Sequence, residues 1–442
     1  MKVDYLIAEI GSTTTLVSAL DFNSKEILVA QGKANTTVLQ GDVTVGLKKA
    51  IGEIEESLGE KIVWNKMLAT SSAAGGLKIT VHGLVQDMTV KAAREAALGA
   101  GGIIKNVTAG KLYKSDLRKI KELKPNLIMI AGGTDYGERD TAIYNAEVIN
   151  RENFGIPVIY CGNIANREDI KEILQGQEFY IVDNVYPRID ELNVEPAREV
   201  IQRAFENNIV KAPGMDRIKE MVDGTIMPTP GAVMESAKLL YDSIGDVLVI
   251  DVGGATTDVH SVTEGSSEIQ DILLSPEPKA KRTVEGDLGV YINSSNVIEI
   301  LEDIEMEGLN REYIKNNIEP IPMTKEQKKC SCILTKKAVN TAVDRHVGYI
   351  KRVYGSGKKF IAYGKDLSKV RYIVGTGGAL TKLPEGENML KGIKYLKEDL
   401  TMYPREEAKV LIDHMYIMAC AGVLARENKE YALKLIEKSL NL

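Results

Sequence analysis

The chain has 442 residues, roughly three times the length of a common single domain, so more than one packed unit is expected. Hydrophobic residues make up 44% of it and charged residues 27%, as in ordinary globular proteins, and Lys+Arg 56 against Asp+Glu 62 leave a net charge of -6. This mildly acidic balance argues against a nucleic-acid coat and against a binder of anionic membranes, because both need a strong positive field.

The N-terminal sequence and the cysteine count bear on where the protein works. Acidic residues interrupt the apolar run that starts at Val3, so no signal peptide is expected. The longest apolar stretch, Met415 to Ala425, is shorter than the ~18–20 residues that span a bilayer, and it predicts a buried helix. Four cysteines are too few for a disulfide framework, which favours reduced thiols in a cytoplasm.

The first hundred residues begin with three closely spaced strand patterns, at Tyr5–Ile10, Thr15–Asp21 and Glu26–Gln31. The short links between them predict an antiparallel meander. A helical pattern follows at Val43–Leu58, and an apolar run at Met67–Thr70 comes next.

From about Gly102 the pattern changes to a regular alternation of strands and helices. The predicted strands of this region are Leu127–Ala131, Pro157–Cys161 and Phe179–Val182. The predicted helices are Ser115–Leu123, Asp140–Asn153, Arg167–Gln175 and Pro196–Asn207. Such an alternation predicts a doubly wound parallel layer inserted into a host domain.

The host domain resumes after the insert. A predicted helix at Ala232–Ser243 leads to a strand at Asp246–Val252. Further along, proline and basic residues predict a loop at Ser275–Arg282, and glycine and lysine residues predict another at Gly355–Lys359.

One block of sequence occurs twice, at an offset of 242 residues: residues 6–15 (LIAEIGSTTT) match residues 248–257 (LVIDVGGATT). Each copy contains an apolar strand, a carboxylate, one apolar residue, a glycine, small residues and threonines that open a second strand. A single copy would predict an ordinary turn, but two copies with the carboxylate in register favour a shared chemical role.

The residue types at these two turns suit a phosphate site. Glycine and small residues at a tight turn leave backbone N–H groups pointing outward, and Ser or Thr hydroxyls add donors. The residues predicted to bind phosphate are Gly11, Ser12, Thr13 and Thr14 in the first copy, and Gly253, Gly254, Ala255, Thr256 and Thr257 in the second. The carboxylates Glu9 and Asp251 would repel phosphate directly, so their expected role is to hold Mg²⁺ through water.

A third glycine cluster follows the strand that starts at Tyr372. It contains Gly375, Gly377 and Gly378 in the pattern G-x-G-G-A. Glycines there would let the backbone pass close to a flat ligand and would open a helix whose N-terminus favours an anion. The cluster matches neither the dinucleotide fingerprint nor the Walker motif.

In this order, the three blocks resemble the phosphate-1, phosphate-2 and adenosine motifs of the actin, sugar-kinase and heat-shock-chaperone ATPase superfamily. Met227–Val233 resembles the first connecting helix of that superfamily, and Met415–Ala425 the second. The resemblance implies an α/β protein with duplicated ribonuclease-H-like lobes, an inserted doubly wound domain, and ATP and Mg²⁺ as cofactors. Two residues depart from the superfamily pattern: Glu9 replaces the usual Asp, and Met227 replaces a Glu of the chaperone branch.

On this basis the predicted segments are 1–100 (first part of lobe I), 101–212 (inserted domain), 213–245 (return of lobe I and connecting helix) and 246–442 (lobe II). Glu9 and Asp251 are the predicted catalytic residues, as well as the predicted metal ligands.

A closer resemblance is to the MutL/GlmL family, the accessory proteins of adenosylcobalamin-dependent glutamate mutase, which are unrelated to the mismatch-repair protein of similar name. The runs that carry it are Ala69–Leu77, Ala131–Gly137, Val158–Asn163, Val252–His260 and Glu285–Gly289. It implies an ATP-dependent reactivator of a mutase or an aminomutase. With Met227 in place of the glutamate, either another carboxylate positions water or hydrolysis is slow. A small-molecule kinase on the same scaffold and a non-hydrolysing assembly protein are the alternatives, and homo-oligomerisation is left open.

Several polar residues permit two interpretations. Asp258 either points into the same cleft as Asp251 or caps its hairpin. Glu285 and Asp287 either lie beside a nucleotide, as the resemblance implies, or mark the start of a helix. A group of polar residues after the first predicted strand of the insert forms either a ligand or partner site or the charged start of a helix. These residues are Thr134, Asp135, Glu138, Arg139 and Asp140. The four histidines are scattered and predict no metal cluster.

Overall fold

A computed structural model describes residues 1–37, 41–72, 77–209, 214–353, 360–393 and 400–442. The chain forms two compact units. Unit 1 comprises Met1–Ala74, Val210–Leu273 and Lys279–Leu442, and unit 2 comprises Gly75–Ile209 and Leu274–Pro278. None of the helices among the described residues is long and apolar enough to cross a membrane.

The strands of the described residues are β1 (Lys2–Ile10), β2 (Thr14–Leu20), β3 (Leu28–Asn35), β4 (Val63–Ser71), β5 (Lys78–Gly83), β6 (Ile103–Ala109), β7 (Leu127–Ile130), β8 (Val158–Tyr160), β9 (Phe179–Ile181), β10 (Met227–Pro228), β11 (Val247–Val252), β12 (Thr257–Val262), β13 (Ala280–Glu285), β14 (Tyr349–Arg352), β15 (Phe360–Tyr363), β16 (Tyr372–Thr376) and β17 (Lys409–Ile412).

The α-helices of the described residues are α1 (Val43–Leu58), α2 (Lys91–Gly99), α3 (Lys114–Leu123), α4 (Asp140–Glu152), α5 (Arg167–Ile173), α6 (Glu195–Ile209), α7 (Met215–Met221), α8 (Thr229–Ile244), α9 (Ser267–Gln270), α10 (Ser294–Glu299), α11 (Arg311–Asn316), α12 (Lys325–His346), α13 (Gly378–Lys382), α14 (Gly386–Lys391), α15 (Met418–Leu424) and α16 (Lys429–Leu440). A π-helical segment (Gln86–Val90) precedes α2, and a 3-10 helix (Ile164–Asn166) precedes α5.

Unit 1 contains two five-stranded sheets with the same topology. The order is β10-β4-β1-β2-β3 in the first sheet, here called lobe I, and β13-β12-β11-β16-β17 in the second, called lobe II. In each lobe the first three strands form an antiparallel meander, and the remaining two add in parallel beside the first. The predicted duplication of ribonuclease-H-like lobes is therefore confirmed by strand order.

The two lobes share one apolar core. It includes Ile7 and Leu68 from lobe I and Val249 and Val374 from lobe II, together with most of α8 and α15. The two helices cross at very short range: a Cβ built on Gly422 of α15 would lie 1.8 Å from the carbonyl oxygen of Ala232 in α8. No side chain therefore separates the helix backbones at this crossing.

The predicted helix at Met415–Ala425 begins later than expected. In the structure α15 starts at Met418, because the carboxylate of Asp413 accepts hydrogen bonds from the N–H groups of Ile417 and Met418 and holds the preceding residues in a loop. The loop predicted at Ser275–Arg282 is also wrong in its last three residues, which belong to β13 and pair with β12. Residues 355–359 lie outside the described residues.

Unit 2 is a doubly wound layer with five parallel strands in the order β6-β5-β7-β8-β9. The sequence prediction started the insert at residue 101 and missed β5 and β6. In the structure β5 lies in the middle of this sheet and pairs with both β6 and β7, so the compact unit begins at Gly75. Of the run Ala69–Leu77, residues 73–76 are outside the described residues.

Candidate functional site

The two copies of the repeated block fold into the same turn. Between β1 and β2, the N–H of Gly11 donates to the carbonyl oxygen of Thr14 at 3.0 Å. Between β11 and β12, the N–H of Gly253 donates to the carbonyl oxygen of Thr256 at 2.9 Å. A Cβ on Gly11 would come within 2.6 Å of the Thr14 oxygen, so the first turn requires glycine.

The two turns lie close to each other in unit 1. A Cβ built on Gly254 would be 3.4 Å from the side chain of Thr13. Within the described residues, the backbone N–H groups of Ser12, Thr13, Gly254 and Ala255 have no protein acceptor. This geometry leaves backbone donors on both turns available to an anion.

A segment that follows β13 supports the second turn. Its backbone N–H groups donate to the turn: Val290 to the carbonyl of Gly253 at 3.2 Å, and Tyr291 and Ile292 to that of Gly254 at 2.9 and 2.7 Å. The side-chain amide of Asn293 donates to the carbonyl of Ala255 at 2.7 Å. Because the carbonyls are bonded on this side, the turn is fixed.

Glu9 lies in β1, with its side chain almost entirely removed from solvent (6% exposed). The hydroxyl of Tyr416 donates to its Oε1 at 3.3 Å, and its Oε2 has no partner in the described residues. Burial, followed by the negative charge of Asp251, raises the pKa of Glu9 to about 8, although the hydrogen bond from Tyr416 acts in the opposite direction.

Asp251, the equivalent carboxylate of lobe II, is only partly exposed. Burial and the negative charge of Asp258 raise its pKa to about 7, while the guanidinium of Arg282 lowers it. Two neighbouring carboxylates with raised pKa values, one with an unpartnered oxygen, form a place where a cation would be stabilised. Within the described residues, however, no group of three or more His, Cys, Asp or Glu side chains could hold a metal by itself.

Asp258 does not contribute a free carboxylate to the cleft. It is buried and paired with Arg282, whose Nη2 lies 2.6 Å from its Oδ1, and its Oδ2 accepts a hydrogen bond from the hydroxyl of Thr256. Of the two interpretations from sequence, the role within the hairpin is the one that the contacts support.

The three glycines of the third cluster occupy different environments. Gly377 has φ 83°, and a Cβ there would lie 2.5 Å from Oδ1 of Asp251. A Cβ on Gly375 would meet Leu390 and Ile412 in the core, so this predicted ligand residue instead allows close packing. Gly378 has open space around it.

Two further predicted site residues, Thr257 and Ser12, differ in their exposure to solvent. Thr257 is buried, and its hydroxyl donates to the carbonyl of Leu288 at 2.7 Å. Ser12 is exposed, with its hydroxyl 3.3 Å from the carbonyl of Ser72. Thr257 therefore does not face the cleft, whereas Ser12 remains accessible.

The sequence analysis missed Asp413, which is fully buried at the end of β17. Its carboxylate accepts hydrogen bonds from the hydroxyls of Thr376 and Ser439 and from the two N–H groups at the start of α15. Its negative charge contributes to the raised pKa values of Glu9 and Asp251. A detectable signal was present: like those two residues, it is a carboxylate directly after a run of three apolar residues.

Tyr416, three residues further on, was also missed. It has φ 52°, in the left-handed region that few residues other than glycine adopt. The loop held by Asp413 fixes this conformation and places the hydroxyl beside Glu9. No sequence pattern indicated this contact between residues 407 positions apart.

Neither interpretation of Glu285 and Asp287 is supported by direct contacts. Both carboxylates pair with the guanidinium of Arg345 in α12, at 2.6 and 2.8 Å, and the hydrogen bonds from Arg345 lower the pKa of Asp287. The residues that follow them do not form a helix until Ser294. They therefore attach β13 to α12.

A groove of about 410 Å³ runs along α12 near the residues that follow the third glycine cluster. Its lining is rich in lysine, including Lys325, Lys328 and Lys336, and its other side includes Pro384 and Glu385. The mixture of cationic and apolar lining is suited to a polar ligand with a flat apolar part.

Three of the histidines, His82, His260 and His346, are buried, and burial lowers the pKa of each. Both ring nitrogens of His82 lie within hydrogen-bonding distance of threonine hydroxyls. His346 makes equivalent contacts with Ser261 and Thr283. These side chains are packed within their units.

Comparison with known proteins gives a consistent result over nearly the whole chain. Residues 5–440 match a family model described as MutL protein. The chain is 36% identical over 459 residues to Protein MutL of Clostridium tetanomorphum, with 99% of each chain covered.

Similarity to solved structures is much weaker. A nucleotide-free diol dehydratase-reactivating factor has 12% identity and a TM-score of 0.36, covering 96% of this chain and 99% of that one. Nucleotide-free acetone carboxylase has 12% identity and a TM-score of 0.39, covering 96% of this chain and 70% of that one. These scores are too low to support an argument, so the fold assignment rests on strand order.

Proposed function

Since the chain belongs to the MutL family, we propose that it is an ATP-binding accessory protein that reactivates an adenosylcobalamin-dependent mutase or aminomutase. The observation that carries the ATP-binding part is the pair of facing turns, whose free N–H groups adjoin two carboxylates with raised pKa values. The identity of the client as a glutamate mutase or a related aminomutase follows from the family resemblance alone.

The residues present fit ATP with Mg²⁺. The turns at Gly11–Thr14 and Gly253–Thr256 would bind the phosphates, with Glu9 and Asp251 holding the metal through water. The unpartnered Oε2 of Glu9 is the buried acceptor that a hydrated cation would satisfy. The lysine-lined groove along α12 has the volume and lining for the nucleoside.

Bound ATP would supply a phosphoanhydride. The residues of this chain would orient it and accept a proton from the attacking water. Asp251 is the candidate base, because it is the carboxylate next to the lobe II turn and its pKa is raised above the ordinary value in the absence of metal. Closure of the lobes would proceed by movement of α8 against α15, the two helices that join them.

The first test is the affinity for ATP·Mg²⁺, measured by isothermal titration calorimetry. We expect the wild type to bind and Asp251→Asn to bind about tenfold more weakly or worse, which corresponds to about 1.4 kcal/mol. Asp242→Asn is a matched control, since Asp242 is an exposed carboxylate on α8. Absence of binding by the wild type, or equal affinities for the two variants, would rule out the proposed site.

The second test concerns the client. ATP turnover is measured with active and with cobalamin-inactivated glutamate mutase, and the proposed function predicts stimulation by the inactivated enzyme only. Transfer of a radiolabelled γ-phosphate to a small acceptor would instead identify a kinase.

One observation favours a non-hydrolysing assembly protein as a second candidate. Met227, where the chaperone branch has a glutamate, is buried at the start of β10 and provides no carboxylate to position water. Tight ATP binding with no turnover under any client condition would support this candidate.

A further inference from the structure

The loops that follow the five strands of unit 2 share an unusual property. Because all five strands are parallel, these loops lie at one edge of the sheet. Each has one exposed large apolar side chain: Val85, Tyr113, Tyr136, Ile164 and Ile189. Elsewhere in the described part of unit 2, the only exposed large apolar side chain is Leu274. Apolar exposure concentrated at one edge marks an interaction surface.

Three of these loops are joined by reciprocal hydrogen bonds. Oδ1 of Asp135, after β7, accepts from the N–H of Ile164 at 2.9 Å. Oδ1 of Asn163, after β8, accepts from the N–H of Tyr136 at 2.9 Å. The N–H of Asp135 donates to the carbonyl of Pro187, after β9, at 2.9 Å. We call Tyr136, Ile164 and Ile189 the apolar triad; their loops are held in fixed positions before any partner binds.

The backbone of this surface has a conformation that stability alone does not favour. Tyr136 has φ 61° and is 83% exposed, so its ring makes little contact with the protein that supports it. A bulky residue in the left-handed region is an outlier, and glycine or asparagine would occupy that position at lower cost. The ring of Tyr136 is therefore better explained by a contact with another molecule.

A small-molecule site at this edge does not fit the packing. A Cβ on Gly132 would lie 2.5 Å from Cβ of Ala142, and one on Gly162 would lie 2.6 Å from the N–H nitrogen of Gly132. Oε1 of Glu138 is occupied by the N–H and hydroxyl of Thr141 at the start of α4. The space between the loops is thus filled, while their outer surface is exposed.

The charge around the apolar triad indicates the chemistry of the partner. Residues 131–140, 161–169 and 182–192 contain eight Asp or Glu residues, three Arg and no Lys. Each of the three arginines is within ion-pair distance of an acidic residue of the same loops, which leaves five carboxylates in excess. An acidic rim disfavours pairing with a second copy of the same surface, because like charges would face each other.

We propose that the apolar triad is the centre of a docking surface for a protein whose own surface is apolar in the middle and basic at its rim. Large apolar side chains on a rigid support are the usual anchors of protein interfaces, and complementary charge selects the partner. Only the identity of this partner as the mutase rests on the proposed function.

The chemistry of the surface can be tested without the client. The variant Tyr136→Asn/Ile164→Ser/Ile189→Ser removes the apolar triad, keeps every charge, and places at residue 136 a side chain that tolerates the left-handed region. Fluorescence titration uses two short amphipathic helical peptides, one of Leu and Lys and one of Leu and Glu. We expect the wild type to prefer the Leu/Lys peptide and the variant to bind it about tenfold more weakly or worse.

The matched control is Val63→Ser/Met323→Ser, which removes two exposed apolar side chains of unit 1 that lie outside the groove along α12. It should bind the Leu/Lys peptide as the wild type does. Equal affinity of wild type and triad variant would overturn the proposal, and so would wild-type preference for the Leu/Glu peptide. Concentration-dependent dimerisation that the triad variant abolishes would also overturn it, in favour of a second copy.

Glutamate mutase then separates this inference from the proposed function. If the wild type binds the mutase and the triad variant loses that binding while keeping its ATP·Mg²⁺ affinity, both proposals are supported. Unchanged mutase binding by the variant contradicts the docking surface only. No mutase binding by the wild type, with the expected peptide result, contradicts the choice of client only.

Discussion

The turns of lobe I and lobe II have the same backbone hydrogen bond but unequal support. Four donors from residues 290–293 bind the carbonyls of the lobe II turn. At the lobe I turn, the N–H of Thr36 donates to the carbonyl of Thr13 at 2.8 Å, and Ser12 makes only long contacts with Ser72. The turn is therefore held by more hydrogen bonds in lobe II than in lobe I.

The strand beside each turn shows a second difference. Ser71 ends β4 next to Ile10, with its hydroxyl 3.3 Å from the carbonyl of that residue. Gly377 follows β16 at the corresponding position, and a side chain there would collide with Asp251 and Val252. In lobe II the backbone at Gly377 therefore lies directly against the carboxylate of Asp251, and among the described residues no glycine makes the equivalent contact with Glu9 in lobe I.

Gly377→Ala, which changes the glycine that contacts the carboxylate of lobe II, should have the largest effect on stability. The added Cβ would lie 2.5 Å from atoms that cannot easily move, at a φ of 83°, so we expect a loss of about 2–4 kcal/mol in the free energy of unfolding. ATP·Mg²⁺ affinity should fall with it, because Asp251 is displaced. Gly378→Ala is the matched control, since a Cβ there meets nothing within 4 Å. Similar urea unfolding curves for the two variants would contradict the close approach.

The two carboxylates should respond differently to pH in the absence of Mg²⁺. Glu9 keeps its proton in the folded protein up to a pKa of about 8, whereas the unfolded chain loses it at an ordinary value of about 4.3. Its contribution to stability is therefore full below about pH 4.3 and is lost as pH rises to about 8.

Glu9→Gln removes this dependence, and we expect it to raise the free energy of unfolding at pH 8 by about 1–2 kcal/mol while weakening ATP·Mg²⁺ binding. Asp251→Asn should instead remove the part of the pH dependence of the free energy of unfolding that lies below about pH 7. The measurement is urea unfolding in a metal chelator from pH 5 to 8.5. A wild-type stability that increases over this range, with Glu9→Gln unchanged from it, would disprove the raised pKa of Glu9.

The smallest expected effects concern the support of the two turns. Asn293→Ala removes a 2.7 Å hydrogen bond to the carbonyl of Ala255 in the lobe II turn and a 2.9 Å hydrogen bond to the carbonyl of Gly286, and it should cost about 1–2 kcal/mol. Ser12→Ala removes only exposed contacts at 3.3 and 3.4 Å and should cost less than about 0.5 kcal/mol. Thermal unfolding compares the two variants, and a larger effect for Ser12→Ala would reverse the proposed order of rigidity.

The sequence predicted those parts of the fold that depend on local pattern. The bounds of α1 match the prediction because a cap at Asp42 and a left-handed Gly59 define both ends. β5 and β6 were missed because their place in unit 2 depends on the pairing of β5 with β6 and with β7, which lie about 25 and 48 residues further along the chain, and periodicity does not reveal such pairing. The boundary of the insert was misplaced for the same reason.

For the candidate site, the repeat identified the two turns and their carboxylates, because those residues are adjacent in sequence. It did not distinguish residues that face the cleft from residues that pack behind it, such as Thr257 and Gly375. The roles of Asp413 and Tyr416 arise from contacts made across the lobes and are not encoded near Glu9 in the sequence.

The contact between Gly422 and Ala232 has a mechanical consequence. Where helices touch through backbone atoms, there is no side chain whose rotamer can change to absorb a displacement. Volume added at residue 422 would therefore act as a wedge between α8 and α15 and would move whole lobes. A larger residue at position 422 is therefore expected to change the distance between the two turns.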